Sequence, residues 1–188
     1  MNKNTAEFEA WPKIPRDFGE VITITEKLDG TNACVTIEDG VITGVQSRKR
    51  MIQAGDDNYG FACWVDENCE ELLKLGDGRH FGEWVGGKIQ GNPYDITEKR
   101  FYLFNTACWG SHNPNTPKCC HVVPVLYSGP VNSTIIEQTF TELGANGSGI
   151  DTGEGYGGYV EGIIVYYGKT RRMTKDTYEY REGKHKRS

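Results

Sequence analysis

At 188 residues, with 37% hydrophobic and 25% charged side chains, the chain can bury one core and has the balance of a soluble globular protein. A net charge of −5 argues against binding nucleic acid through bulk charge, so the placement of the cations matters more than their sum. No apolar run of membrane-spanning length and no signal-peptide pattern occurs, which gives the expectation of a cytoplasmic, monomeric, single-domain protein over residues 1–188.

Residues 1–11 alternate polar and acidic types. Val21-Ile22-Thr23-Ile24-Thr25 is rich in β-branched residues and predicts a strand running into Lys27. Residues 33–37 and 41–45 flank Glu38-Asp39-Gly40, a hairpin signal. That hairpin would bring the basic cluster Ser47-Arg48-Lys49-Arg50 back toward Lys27. Asp56-Asp57-Asn58 can cap a helix whose Ala62, Val65, Cys69, Leu72 and Leu73 share an apolar face, with Gly76 as its stop. Strands are predicted at 79–85, 101–108 and 121–127. Asn132 or Ser133 caps a second helix, with Ile135, Ile136, Thr139, Phe140 and Leu143 inward and Gly144 as its stop. A glycine-rich stretch, 144–158, reads as a mobile surface connection before a strand at 160–167. Two helices among short strands, joined partly by hairpins, predict an α+β fold of antiparallel sheets flanked by helices.

Three other signals are weaker. Cys119-Cys120-His121, with Cys108 upstream, lacks the Cys-x-x-Cys pair of a zinc site, so reduced structural thiols are the plainer reading for all six cysteines. The glycine-rich loop follows a helix and opens a strand, the reverse of a phosphate-cradling loop. Neither a Gly-x-Ser-x-Gly nor a His-Glu-x-x-His string is present.

Chemistry concentrates in Glu26-Lys27-Leu28-Asp29-Gly30-Thr31-Asn32, which ends a strand with a lysine ahead of a glycine turn. Such a lysine can attack phosphorus once it is uncharged. Four further strings follow in order: Ser47-Arg48-Lys49-Arg50, Phe81-Gly82-Glu83-Trp84-Val85-Gly86, Phe101-Tyr102-Leu103-Phe104-Asn105 and Glu161-Gly162-Ile163-Ile164-Val165-Tyr166. In this order they resemble the motifs of the covalent nucleotidyltransferases, the polynucleotide ligases and mRNA capping enzymes. The resemblance runs from about residue 26 to 175.

That resemblance implies the nucleotidyltransferase (ligase adenylylation domain) fold, with ATP and Mg²⁺ as cofactors and Mn²⁺ as a substitute. It implies that Lys27 becomes lysyl-AMP and that Glu26 faces the nucleobase edge. Arg48 would contact ribose or phosphate, Glu83 the ribose hydroxyls, Phe104 the adenine face, and Glu161 the metal. For Arg48 a surface ion pair, and for Phe104 plain core packing, are the competing readings.

The final Lys-x-Lys motif is absent from Arg171-Arg172-Met173-Thr174-Lys175, so either Arg172 or Lys175 serves it. Asn105 stands where many relatives have aspartate. Asn32 resembles phage-type RNA ligases, where DNA ligases carry arginine. No room remains after Lys175 for an oligonucleotide-binding domain. The implied function is an ATP-dependent ligase joining RNA 3′-OH and 5′-phosphate ends, in RNA repair and of bacteriophage type, with RNA as partner. A minimal DNA nick-sealing ligase and a binding module without catalysis are the alternatives. Cations for RNA would come from Arg48, Lys49 and Arg50 and from a basic arm running from Lys169 to Arg187, of which residues 184–188 form a tail.

Overall fold

β-branched residues at alternating positions make β1 (Val21–Lys27), which buries Ile22, Ile24 and Glu26 on one face. The computed structural model describes residues 19–153 and 158–183. Within them β1 is a central strand of a four-stranded sheet, order β7-β1-β8-β9, with β7 spanning Val125–Pro130, β8 Gly162–Tyr167 and β9 Arg172–Thr177. The second sheet has five strands, order β3-β2-β4-β5-β6. Its members are β2 (Thr31–Glu38), β3 (Val41–Ser47), β4 (Gly78–Val85), β5 (Arg100–Leu103) and β6 (Cys120–Val122).

Every pairing is antiparallel except β5 with β6, whose strands run the same way because residues 104–119 cross over between them. The hairpin turns at Asp39 and Gly40, both with positive φ (52° and 71°), as the two-residue turn predicts.

Helices cover the outer faces. Asp57 caps α1 (Phe61–Glu67) by accepting from the N–H groups of Ala62 (2.8 Å) and Cys63 (3.1 Å). The predicted long helix breaks at Asn68, whose side chain bonds back to the Trp64 carbonyl at 2.8 Å. α2 (Cys69–Leu72) and a 3-10 turn (Leu73–Leu75) follow on a changed register. As a result Ala62, Val65, Leu72 and Leu75 point inward, while Cys69 and Leu73 are exposed, contrary to the sequence expectation. Phe61, Trp64, Trp84 and Phe101 stack there in one aromatic cluster, with Phe61 4.9 Å from Phe101.

Asn132 caps α3 (Ile135–Asn146), accepting from the N–H of Ile135 at 2.8 Å. This helix runs through Gly144 and stops at Gly147. Gly144 is instead a close-packing position, where a Cβ would lie 2.9 Å from the Tyr178 hydroxyl. α4 (Tyr178–Arg181) completes the chain as described. No helix among the described residues is long and apolar enough to cross a membrane.

One departure from the sequence reading positions the site. The predicted strand 121–127 is two strands, β6 in one sheet and β7 in the other, with the change of sheet at Val123 and Pro124. Proline donates no hydrogen bond, and the Pro124 carbonyl accepts from the Glu26 N–H at 2.9 Å. Leu28, Val85, Tyr94, Tyr102, Val123 and Ile150 then pack as a core between the sheets. Ser148 and Ile150 are buried, so the glycine-rich stretch is no simple surface connection up to residue 153; residues 154–157 lie outside the described residues.

Candidate active site

Strand alternation puts Lys27 on the face of β1 opposite Glu26. Its rank across the sheet is Lys27, Gly162 and Thr177. Glu161, one residue ahead of β8, lies with both carboxylate oxygens 2.5 Å from Lys27 Nζ. Burial holds the Glu161 carboxyl above its ordinary value, with the Lys27 charge opposing that shift. The turn after Lys27 is fixed from a distance. The Asp29 N–H donates to the Tyr94 hydroxyl at 2.7 Å, and the Tyr159 hydroxyl donates to Asp29 Oδ2 at 3.1 Å. Gly30 follows because nothing larger fits: a Cβ there would sit 2.5 Å from the Trp84 carbonyl and 2.9 Å from Glu83 Cγ.

The facing sheet supplies Asn32, Glu83 and Tyr102 as one rank. Asn32 Nδ2 donates to Glu83 Oε2 at 2.7 Å. Burial pushes the Glu83 carboxyl up to about 7; Lys27 and Asn32 oppose this, and Glu161 adds to it. The electrostatic reach of Lys27 and Glu161 to Glu83 shows that the two sheets address one cleft. The strand predicted over 101–108 ends at Leu103, so Phe104 stands just beyond β5, two residues from Tyr102 on the same face. Its ring is 42% exposed, which removes the core-packing reading. Asn105 caps the next turn, with Oδ1 accepting from the Cys108 N–H at 3.3 Å.

Glu26 is buried beside this cleft. Its Oε2 accepts from the Gly149 N–H at 2.8 Å, while Oε1 has no hydrogen-bond partner among the described residues. Burial raises its pKa, with hydrogen bonds from Ser148 and Gly149 lowering it in part. An unpartnered buried oxygen is costly unless something fills it.

Strand geometry distinguishes the two candidates for the last motif. Two cations separated by one residue share a strand face. Lys175, opposite Ile164 and Thr25, lies on the Lys27 face, about 7 Å along the strand from its rank. Its charge pulls the Glu161 carboxyl down. Arg172 lies on the opposite face, five residues from the Lys27 rank, with its guanidinium 4.6 Å over the Tyr167 ring. The residue sharing a face with Lys175 two positions earlier is Met173, 68% exposed.

Two of the other predicted cations have carboxylate partners. Arg50 pairs with Asp56 at 2.8 Å and bonds the Asp56 and Asp57 carbonyls. Arg181 bridges Asp176 and Glu137 and covers the Phe140 ring at 3.8 Å, so it ties α4 to α3. Arg48 follows Ser47 at the end of the hairpin that carries Asn32; it is exposed and makes no ion pair among the described residues. Residues 184–188 lie outside the described residues.

No group of three or more His, Cys, Asp or Glu side chains gathers among the described residues. A single carboxylate beside a lysine fits a divalent cation that arrives with phosphate oxygens and keeps most of its waters. The orphaned Glu26 Oε1 fits a nucleobase N–H. Sequence reasoning missed Tyr94, Tyr159 and Gly149, which act across 65, 130 and 123 positions and leave no local signal.

The family model described as RNA ligase matches residues 20–180. No curated protein matches the chain significantly. Among solved structures, the chain is similar to Naegleria gruberi RNA ligase with PPi, at 24% identity and a TM-score of 0.62, covering 90% of this chain and 53% of that one. A lysine-to-methionine variant of the same ligase with AMP and Mn gives 22% identity and a TM-score of 0.61, with coverages of 90% and 53%. A lysine-to-alanine variant with ATP and Mn gives 22%, 0.60, 89% and 52%. The chain therefore spans about half the length of the solved structures it matches, and at this identity the likeness is one of fold.

Proposed function

The chain belongs to the RNA ligase family, and from that premise we propose that it is an ATP-dependent ligase joining RNA 3′-OH and 5′-phosphate ends through lysyl-AMP. The observation that carries this reading is the Lys27–Glu161 pair at 2.5 Å, set across one cleft from the Asn32–Glu83 pair.

Lys27 must shed its proton before its lone pair can attack the α-phosphorus of ATP. The N–P bond forms as the bond to pyrophosphate breaks, leaving a phosphoramide. A divalent cation, Mg²⁺ or Mn²⁺, when bound supplies charge neutralisation on the phosphates, and Glu161 is the residue that would hold it. Glu83 accepts from the ribose hydroxyls, with Asn32 fixing its orientation. Phe104 stacks on adenine, and Glu26 Oε1 accepts from its amino group. Lys175 faces the phosphates. The RNA 5′-phosphate then takes AMP from Lys27, and the 3′-OH displaces AMP to close the strand.

Asn32 and the RNA ligase family match favour RNA over DNA. Incubated with Mg²⁺ and ATP labelled at the α-phosphate, the protein acquires label at Lys27, and K27A acquires none while keeping its fold. Pyrophosphate chases the label back into ATP. A protein that forms no covalent adduct at any pH or metal concentration sinks the proposal. Stronger sealing of nicks with DNA on the 3′-OH side than with RNA overturns the substrate assignment alone.

A further inference from the structure

The cleft face of the five-stranded sheet continues past Glu83. Two residues along β4, Phe81 stands beside Phe104, whose N–H donates to the Phe81 carbonyl at 3.0 Å. The Phe81 ring is 47% exposed although β4 has hydrogen-bonded strands on both sides. Two residues further, the Arg79 guanidinium lies 5.0 Å over the Phe81 ring. Gln46 holds it there, accepting from Nη2 at 2.8 Å. A single exposed aromatic needs no explanation. Here two adjacent rings and an oriented guanidinium form one surface on central strands.

Distance separates the Arg79 end of this surface from the nucleotide. Four residues along a strand carry Arg79 about 14 Å from the Glu83 rank, beyond the reach of a base and sugar gripped at Glu83. Arg79 also keeps its charge available: its hydrogen-bond partner Gln46 is neutral, and it makes no ion pair with a carboxylate among the described residues. Toward the Glu83 end, the turn that follows β3 carries Arg48 and Lys49, which make no ion pair among the described residues. Flat π-faces and a guanidinium plane recognise bases without regard to sequence, and cations at the margin meet phosphates.

We propose that Phe81 and Arg79 form a stacking seat for an unpaired base of the RNA strand being joined, with Arg48 and Lys49 meeting its backbone where the strand runs back toward the nucleotide cleft. The seat deepens the RNA ligase reading and rests on it. It gives the chain a hold on RNA that is continuous with the nucleotide cleft yet distinct from the groups that grip ATP.

The test separates the two steps. F81A and R79A are compared with wild type for adenylylation of Lys27 by labelled ATP, and for joining of RNA whose 5′ end already carries AMP, which bypasses ATP. Adenylylation stays within about twofold, while joining falls about 5- to 100-fold with a raised KM for RNA, the worth of one stacked base. F81W restores joining, and poly-U and poly-A substrates are affected alike. Equal slowing of both steps in F81A overturns the seat and assigns the ring to the ATP pocket. Unchanged joining in both variants overturns it as bare surface. A wild-type protein that neither forms enzyme-AMP nor joins pre-adenylylated RNA fails at the ligase reading instead, before either variant is measured.

Discussion

Glu83 carries the most consequential titration in the cleft. Its folded pKa of about 7 stands above the ordinary carboxyl value of 4.5, so the native state binds its proton more tightly than the unfolded chain. The stabilisation is complete below about pH 4.5 and is lost as pH rises through 7, with an upper bound of about 3 kcal/mol. Glu26 and Glu161 shift the same way. The nucleotide-free protein should therefore melt at lower temperature at pH 8 than at pH 6, and E83Q should flatten that slope; an unchanged slope in E83Q removes Glu83 as its source. Tyr94 supports the nucleophile differently, by holding the Asp29 N–H, while burial keeps its phenol protonated. Y94F leaves the half-buried Asp29 N–H unmet, a loss of about 1 kcal/mol. Adenylylation should slow about tenfold in kcat with little change in KM for ATP, whereas a merely structural tyrosine would move melting temperature alone. Lys27, Asn32, Glu83 and Glu161 were legible in sequence because each sits inside a contiguous string. Tyr94 was not, because its partner is 65 positions away and a tyrosine in Asn-Pro-Tyr carries no local pattern.

Strand alternation puts the two candidates of β9 on opposite faces. With Lys175 on the Lys27 face and Arg172 on the α3 side, K175A should slow adenylylation on the order of 10²-fold, the cost of losing one transition-state charge contact. R172A should leave the rate within about twofold. The opposite ranking would mean that β9 pairs with β8 in another register. Met173 stands on the cleft face two residues from Lys175, so M173K should lower KM for ATP if this face meets phosphates. The hairpin of β2 and β3 was legible because Asp39-Gly40 encodes its own turn, and the cap of α3 because Asn132 acts within three residues. The change of sheet at Pro124 was not legible: both halves of 121–127 have strand composition, and only pairing with β5 on one side and β1 on the other divides them. The break at Asn68 escaped for a similar reason, since the apolar spacing continues through it while the register does not.

Charge is a property of the whole molecule, and here its placement contradicts its sum. A net of −5 should repel RNA, yet the acids that face the cleft, Glu83 and Glu161, are paired with Asn32 and Lys27. Two cations the sequence offered for RNA, Arg50 and Arg181, are already bound to carboxylates, so the expected basic arm is partly a structural clamp between α3, β9 and α4. Arg79 and Lys175 lie on the cleft faces of their strands, and Arg48 and Lys49 are exposed on the turn after β3. Counterion release sets the consequence: about 0.7 in log–log slope per phosphate contact on a single strand, so four contacts give a slope of about −3. RNA joining by the pre-adenylylated route should fall with salt along that slope. R48A and K49A should each make it shallower by about one contact, and R50A should leave it unchanged. Lysine adenylylation should vary much less, because the proposed ATP site grips through hydrogen bonds and stacking as well as charge. A slope near zero for joining would mean that this face does not meet the RNA backbone. A much steeper one would require further cations, and a slope relaxed by removing residues 184–188 would locate them in the tail.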